Sequence, residues 1–327
     1  MELTDKRKSL LMELQYNFPI TKRPFLDVAE RLGEDEDWVL SETRNLLSNG
    51  VIKRIGALVN YRSRGLVSAL IGVNVPSELI DEVAKAVNSD PQVSHNFVRE
   101  HPRYNMWFVT KARSKEELVM KVSNTLSRFG INDFVVLTAL RTYKIDVKFD
   151  LISGGVSRTK SMILPLNVPP IESTGGLPME FFRRLRAISI EREPFNEIAN
   201  LANTDVNGLR RLIDYLMKVG VIRDFYATLD SDKVGFRENA MVVFKATPEI
   251  CERAALIEET THVVLREVTL GSWPYNCYFM IHGINKDVLE DSIANIMKRL
   301  NINEYETLYS TRNLLPEMPR RLELTSA

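Results

Sequence analysis

The chain has 327 residues, 44% hydrophobic and 26% charged, the composition of an ordinary globular protein with room for two to four domains. Its 43 basic residues balance its 43 acidic ones, so no net field draws it to nucleic acid or to a membrane. The N-terminal MELTDKRKSLLMEL is charged from its second residue, no apolar run reaches membrane-spanning length, and Cys251 and Cys277 lack the close spacing of a zinc or redox site. The expectation is a cytoplasmic protein with both thiols reduced.

Apolar residues between 5 and 50 recur at helical spacing (Leu10, Leu11, Leu14; Phe25, Val28, Ala29, Leu32; Val39, Leu40, Leu46, Leu47), which predicts three short helices with stops at Gly33 and Gly50. VIKRIGALVN after Gly50 reads as the hairpin of a small wing. Residues 66 to 145 then read strand, helix, strand, strand, helix, strand, the order of a ferredoxin-like βαββαβ unit. A stretch with Gly154, Gly155, Pro165, Pro169, Pro170, Gly175 and Gly176 reads as an extended linker. The helical front returns over 178 to 229 and the strand-rich back over 236 to 313. The predicted fold class is α+β, two tandem copies of a winged helix-turn-helix plus a ferredoxin-like domain. The expected boundaries are 1–62, 63–146, a linker at 147–177, 178–232, and 233–327 with a C-terminal tail.

The copies also match residue by residue. VSHNFVREHPRYNMWFVTKA from Val93 aligns with TTHVVLREVTLGSWPYNCYFMIHG from Thr260, pairing His95 with His262, Arg99 with Arg266, Tyr104 with Tyr275 and Asn105 with Asn276. GVIKRIGALVNYRSRGL from Gly50 matches GVIRDFYATLDSDKVGF from Gly220, and a third match aligns Arg141 with Arg312. A period of about half the chain is too long for a solenoid and fits an internal pseudo-dimer.

Side chains alternate along a strand, so His95, Phe97 and Arg99 share one sheet face, as do His262, Val264 and Arg266. Arg141 and Arg312 lie on the adjacent strands, and their faces cannot be read from sequence. Aromatic residues stand nearby, and a face of aromatics, fixed cations and imidazoles suits a flat ligand fringed by carboxylates. For Trp107, Phe108 and Phe279 a place in the sheet core is the better reading. The helix-turn-helix front argues little for DNA: Phe25 to Gly50 holds seven acids against two bases, and its GEDEDW turn would meet phosphate with negative charge. Scaffolding that docks on the neighbouring domain is the preferred role.

The alternation of winged helix-turn-helix and ferredoxin-like units resembles the Lrp/AsnC regulators, and VSHNFVRE, RYNMWF, WPYNCYFMIHG and LYSTRN resemble the siroheme decarboxylase branch of that superfamily, with both subunit types fused in one chain. The resemblance implies non-oxidative removal of two acetate carboxylates of siroheme to give 12,18-didecarboxysiroheme, in haem d1 or alternative haem biosynthesis. Loss of carbon dioxide leaves negative charge on a methylene, which calls for a proton donor, and histidine suits that need. Arginine stays protonated and suits the spectator carboxylates. The resemblance therefore assigns His95 and His262 as proton donors and Arg99, Arg141, Arg266 and Arg312 as anchors. Tyr104, Trp273, Tyr275, His101 and His282 complete the substrate-binding set. In an open alternative, one of the four histidines ligates the siroheme iron. No separate cofactor or metal is called for, the partner is siroheme with handover to other tetrapyrrole enzymes, and neither membrane nor DNA is expected. The alternatives are a ligand-responsive regulator of the same fold and a haem-binding chaperone.

Overall fold

A computed structural model describes residues 2–159 and 163–315. The first copy runs α1 (Asp5–Tyr16), α2 (Pro24–Leu32), α3 (Glu36–Ser48), β1 (Ile52–Val59), β2 (Val67–Val73), α4 (Ile80–Asn88), β3 (His95–Arg99), β4 (Met106–Ala112), α5 (Lys115–Ser127) and β5 (Phe134–Ile145). The second runs α6 (Met179–Arg186), α7 (Asn196–Leu201), α8 (Val206–Lys218), β6 (Ile222–Leu229), β7 (Glu238–Phe244), α9 (Pro248–Ala255), β8 (His262–Leu270), β9 (Cys277–Gly283), α10 (Lys286–Leu300) and β10 (Tyr305–Asn313). Local chemistry sets these limits. Side-chain oxygens of Thr4, Asp35, Ser114, Asp205, Thr247 and Asn285 accept the orphan N–H groups of six helix starts, and Gly33 ends α2 in the left-handed region at φ 69°.

Each ferredoxin-like unit alone is a four-stranded sheet with two open edges. The copies remove all four edges by pairing with each other, β5 with β8 and β3 with β10, to close one eight-stranded barrel in the order β10-β3-β4-β2-β5-β8-β9-β7. Alternation divides the side chains. Phe108, Val122 and Leu126 pack between the first sheet and α4 and α5, and Phe279, Leu289 and Ile293 do the same under α9 and α10. Leu70, Trp107, Leu137, Met241, Val243, Tyr278 and Leu308 form a separate cluster inside the barrel. Trp107, Phe108 and Phe279 are thus core residues, as the sequence suggested.

The wing is not a hairpin. VIKRIGALVN forms one continuous strand whose partner is β6 of the other copy, antiparallel, with Ile55 opposite Ala227. Gly56 serves close packing in place of a turn, since a Cβ there would lie 2.4 Å from the Arg186 carbonyl oxygen at the end of α6. Both helical fronts share a single core that includes Leu11, Phe25, Phe182, Phe195 and Ile213. Acids of α3 are paired at its edge: Glu36 is buried and pairs with Arg23 and, across the copies, with Arg192 at 2.6 Å, while exposed Asp37 meets Arg192 at 2.7 Å.

The segment between the copies is irregular yet packed. Lys148 and Phe149 are buried, Val156 bridges to Gly283, and the Ser157 N–H donates to the His282 carbonyl at 2.9 Å. Cys251 and Cys277 form a disulfide tying α9 to β9, which corrects the expectation of two reduced thiols. Their 26-residue separation hid this, because α9 folds back over β9 and turns both sulfurs into the same core. Among the described residues no helix is long and apolar enough to cross a membrane.

Candidate active site

Strands β4 and β9 run in the same sense through the barrel, each from an aromatic end to a basic end. At the aromatic end Tyr104, Trp107, Trp273 and Tyr275 form a chain of rings whose centroids lie 5.2 to 6.0 Å apart. His101 stacks on Tyr104, its Nδ1 accepts the N–H groups of Arg103 and Tyr104 at 3.1 and 2.9 Å, and its Nε2 lies 3.4 Å from Glu306. The Tyr275 hydroxyl donates to the same carboxylate at 2.9 Å. Tyr104, Trp273, Tyr275 and His101 thus plug the barrel by packing on one another, away from His95 and His262.

At the basic end the repeat becomes a constellation. The Ser94 hydroxyl lies 3.1 Å from His95 Nδ1 and accepts from Lys111 Nζ at 3.1 Å. In the second copy the Thr261 hydroxyl lies 3.2 Å from His262 Nδ1 and 3.3 Å from His282 Nδ1. Lys111 and His282 occupy equivalent positions. The His95 and His262 rings meet edge to face at 6.2 Å, so the two copies build one shared cluster. Protein surrounds His95 densely, yet its side chain keeps open surface.

Arg99 and Arg266 flank the histidines. Both are buried, and each donates across a barrel seam to a carbonyl, Arg99 to Leu308 at 3.0 Å and Arg266 to Leu137 at 3.2 Å. Arg141 and Arg312 are not in the cluster. A register shift in β5 between Ala139 and Arg141, and its counterpart in β10 between Ser310 and Arg312, turns both outward. Arg141 donates to the Leu164 carbonyl at 2.5 Å, and exposed Arg312 pairs with Asp81 of α4 at 2.9 Å. One extra residue moves every later side chain to the other face, so strand alternation could not have located them.

Sequence reading missed a second tier of cations carried by the helical fronts. Arg54 of β1, Arg223 of β6, Arg186 at the end of α6 and Arg64 before β2 approach the basic end beside Lys111 and repel one another. The Nε atoms of Arg223 and Arg266 are buried with no hydrogen-bond partner among the described residues. Asp146 and Asp224, the nearest acids to Arg223, are both engaged by Lys148, at 3.3 and 2.5 Å. One signal was available, since Lys53 and Arg223 coincide in the repeat.

The charge pattern sets protonation. Burial, then the charges of Lys111 and Arg99, pushes His95 down to about 4. Burial and Arg99 take His282 down to about 4, and burial beside His95 and His282 takes His262 well below its ordinary value. All three are neutral at pH 7. Burial also brings Lys111 down to about 8 and Arg99 to about 9. Because these histidine values lie below the unfolded one, the unfolded chain binds more protons between about pH 6.5 and 4, and stability falls as pH drops through that window. The melting temperature should therefore decline from pH 7 to 4, and His282→Gln should flatten the decline. An unchanged slope in that variant would remove His282 from the account.

Cations and neutral imidazoles gathered with few acids among the described residues suit an anionic ligand, at the seam between two copies of one fold. A family model described as the AsnC-like ligand binding domain matches residues 63–144 and 233–314, and one described as the siroheme decarboxylase NirDL-like HTH domain matches residues 7–53. The siroheme decarboxylase of Hydrogenobacter thermophilus is 28% identical, over 93% of this chain and 91% of its own. The siroheme decarboxylase NirD subunit of Pseudomonas aeruginosa is 32% identical, over 46% of this chain and 97% of its own. The crystal structure of the siroheme decarboxylase NirDL, 24% identical, superposes with a TM-score of 0.62 over 95% of this chain and 92% of that one. A structure of siroheme decarboxylase NirDL in complex with an iron-uroporphyrin III analogue gives 0.59, at 23% identity and the same coverage. The chain belongs to the siroheme decarboxylase family and is a carboxy-lyase.

Proposed function

We propose that this chain removes carbon dioxide from two acetate side chains of siroheme, giving 12,18-didecarboxysiroheme, at the single cluster where its two copies meet. The observation that supports this most directly is the approach of His95 and His262 beside buried Arg99 and Arg266, neither of which has a carboxylate partner among the described residues. Siroheme is a polycarboxylate. Arg99, Arg266, Arg54, Arg64, Arg186 and Arg223 hold the carboxylates that stay, which fixes the macrocycle. A carboxylate placed beside neutral His95 or His262 meets an imidazole in place of a direct ion-pair partner, and its loss as carbon dioxide puts the new negative charge on the carbon that the imidazole faces.

Carbon–carbon cleavage leaves the electron pair on the methylene, where the macrocycle delocalises it until an imidazole N–H supplies the proton. The step is redox-neutral and calls for no separate cofactor. The product passes to other tetrapyrrole enzymes.

A DNA-binding regulator in the same fold is the weaker reading, because the acids of α3 are spent on Arg23 and Arg192 within the protein. Anaerobic incubation with siroheme and mass analysis of the tetrapyrrole tests the assignment. Stepwise loss of two carbon dioxide units is the expected result. Binding with no change of mass would leave a carrier or sensor.

A further inference from the structure

The histidines pose a problem for their own chemistry. A donor that is neutral at pH 7 can give up its N–H only by becoming an imidazolate, unless its other nitrogen gains a proton in the same event. His95 has a neighbour able to provide one. Its Nδ1 lies 3.1 Å from the Ser94 hydroxyl, which also accepts from the Lys111 ammonium at 3.1 Å. A hydroxyl that accepts from lysine spends its own O–H on the imidazole, which fixes Nδ1 as the acceptor and puts the ring proton on Nε2, the nitrogen turned away from Ser94.

We infer that Lys111, Ser94 and His95 form a proton relay, with Lys111 as the reservoir for protonation of the substrate carbon. As the bond between methylene and carboxylate breaks, carbon dioxide leaves and the electron pair stays on carbon. Carbon takes the Nε2 proton, Nδ1 takes the Ser94 proton, and Ser94 takes one from the ammonium. A carboxylate and an ammonium become carbon dioxide, a methyl group and a neutral amine, so charge and atoms balance. Solvent reprotonates the lysine between turnovers. The inference rests on His95 as the donor and adds where its proton comes from.

The surroundings suit a lysine that must release a proton. Lys111 faces Arg223 from β6, Arg64 from the turn before β2 and Lys121 from α5, with Asp90 as the opposing charge, and Asp90 is held by Lys121 at 2.8 Å. Burial and these cations bring Lys111 down to about 8, within reach of neutral pH. Its other contact, the Gln92 carbonyl at 3.4 Å, holds the ammonium without competing for the proton. The second copy keeps the hydroxyl, as Thr261, and replaces the lysine by His282.

Lys111→Arg separates the relay from simple charge, because guanidinium keeps the positive charge and donor but does not give up its proton. Siroheme binding is measured by absorbance titration, and single-turnover decarboxylation is then followed from pH 6 to 10. The wild type should lose rate as pH rises through the lysine titration. Lys111→Arg should bind normally, run at least tenfold slower and lose that basic limb, and Ser94→Ala should do likewise while Ser94→Thr recovers most of the rate. A Lys111→Arg enzyme with wild-type rate and pH profile would overturn the relay. If His95→Ala also turned over normally, the donor assignment would fail with it; if His95→Ala alone were slow, only the relay would.

Discussion

Removing the imidazole at His95 or at His262 should slow single-turnover decarboxylation by about 10²- to 10⁴-fold while siroheme still binds, because a general acid acts mainly in the transition state. The structure makes this test sharper than the sequence did. The two rings lie 6.2 Å apart in one cluster, so substrate held by the surrounding cations can still occupy the site after either ring is lost. Absorbance titration gives the affinity, and rapid quench with mass analysis gives the rate at saturation. If the variants lost affinity and kept the saturated rate, the histidines would be iron ligands or anchors and the proton would come from elsewhere.

Replacing Arg99 or Arg266 by Met should have the opposite signature. Each guanidinium is buried and engaged by a backbone carbonyl, Leu308 or Leu137, with no carboxylate partner among the described residues. A charge-assisted bond to a substrate carboxylate is commonly worth about 1.5 to 3 kcal/mol, so affinity should fall roughly tenfold to a hundredfold. Met of similar length removes a buried cation, so the ligand-free protein should melt at the same temperature or higher. Lys should restore part of the affinity, since it keeps the charge without the planar fork. A lower melting temperature with unchanged affinity would make these arginines seam braces and nothing more.

The sequence carried the fold because each element was written in local terms. Helical spacing and alternating strands are short-range signals, and the second copy repeated the order of the elements. His95 with Arg99 and His262 with Arg266 were legible for the same reason, as two positions on one face of a strand. Contacts between distant segments were not. Nothing near Arg141 or Arg312 announces the register shift that turns each outward, and Tyr104, Trp273 and Tyr275, which seemed to flank the histidines, pack on one another at the aromatic end of the barrel. The pairing of β1 with β6, the disulfide and the inward reach of Arg54, Arg186 and Arg223 all depend on how modules dock, which no local pattern records.

Joining the two copies in one polypeptide has a stoichiometric consequence. Were the halves separate, edge pairing of closely similar sheets would yield three species, two with matched halves and one mixed. The matched ones would carry either two lysines or two histidines at the positions of Lys111 and His282. The covalent connection through residues 147–177 raises the local concentration of one half about the other and leaves the mixed arrangement as the ordinary product. Each molecule then holds one lysine and one histidine at these positions, and mutations can drive the halves apart in chemistry without generating mismatched partners.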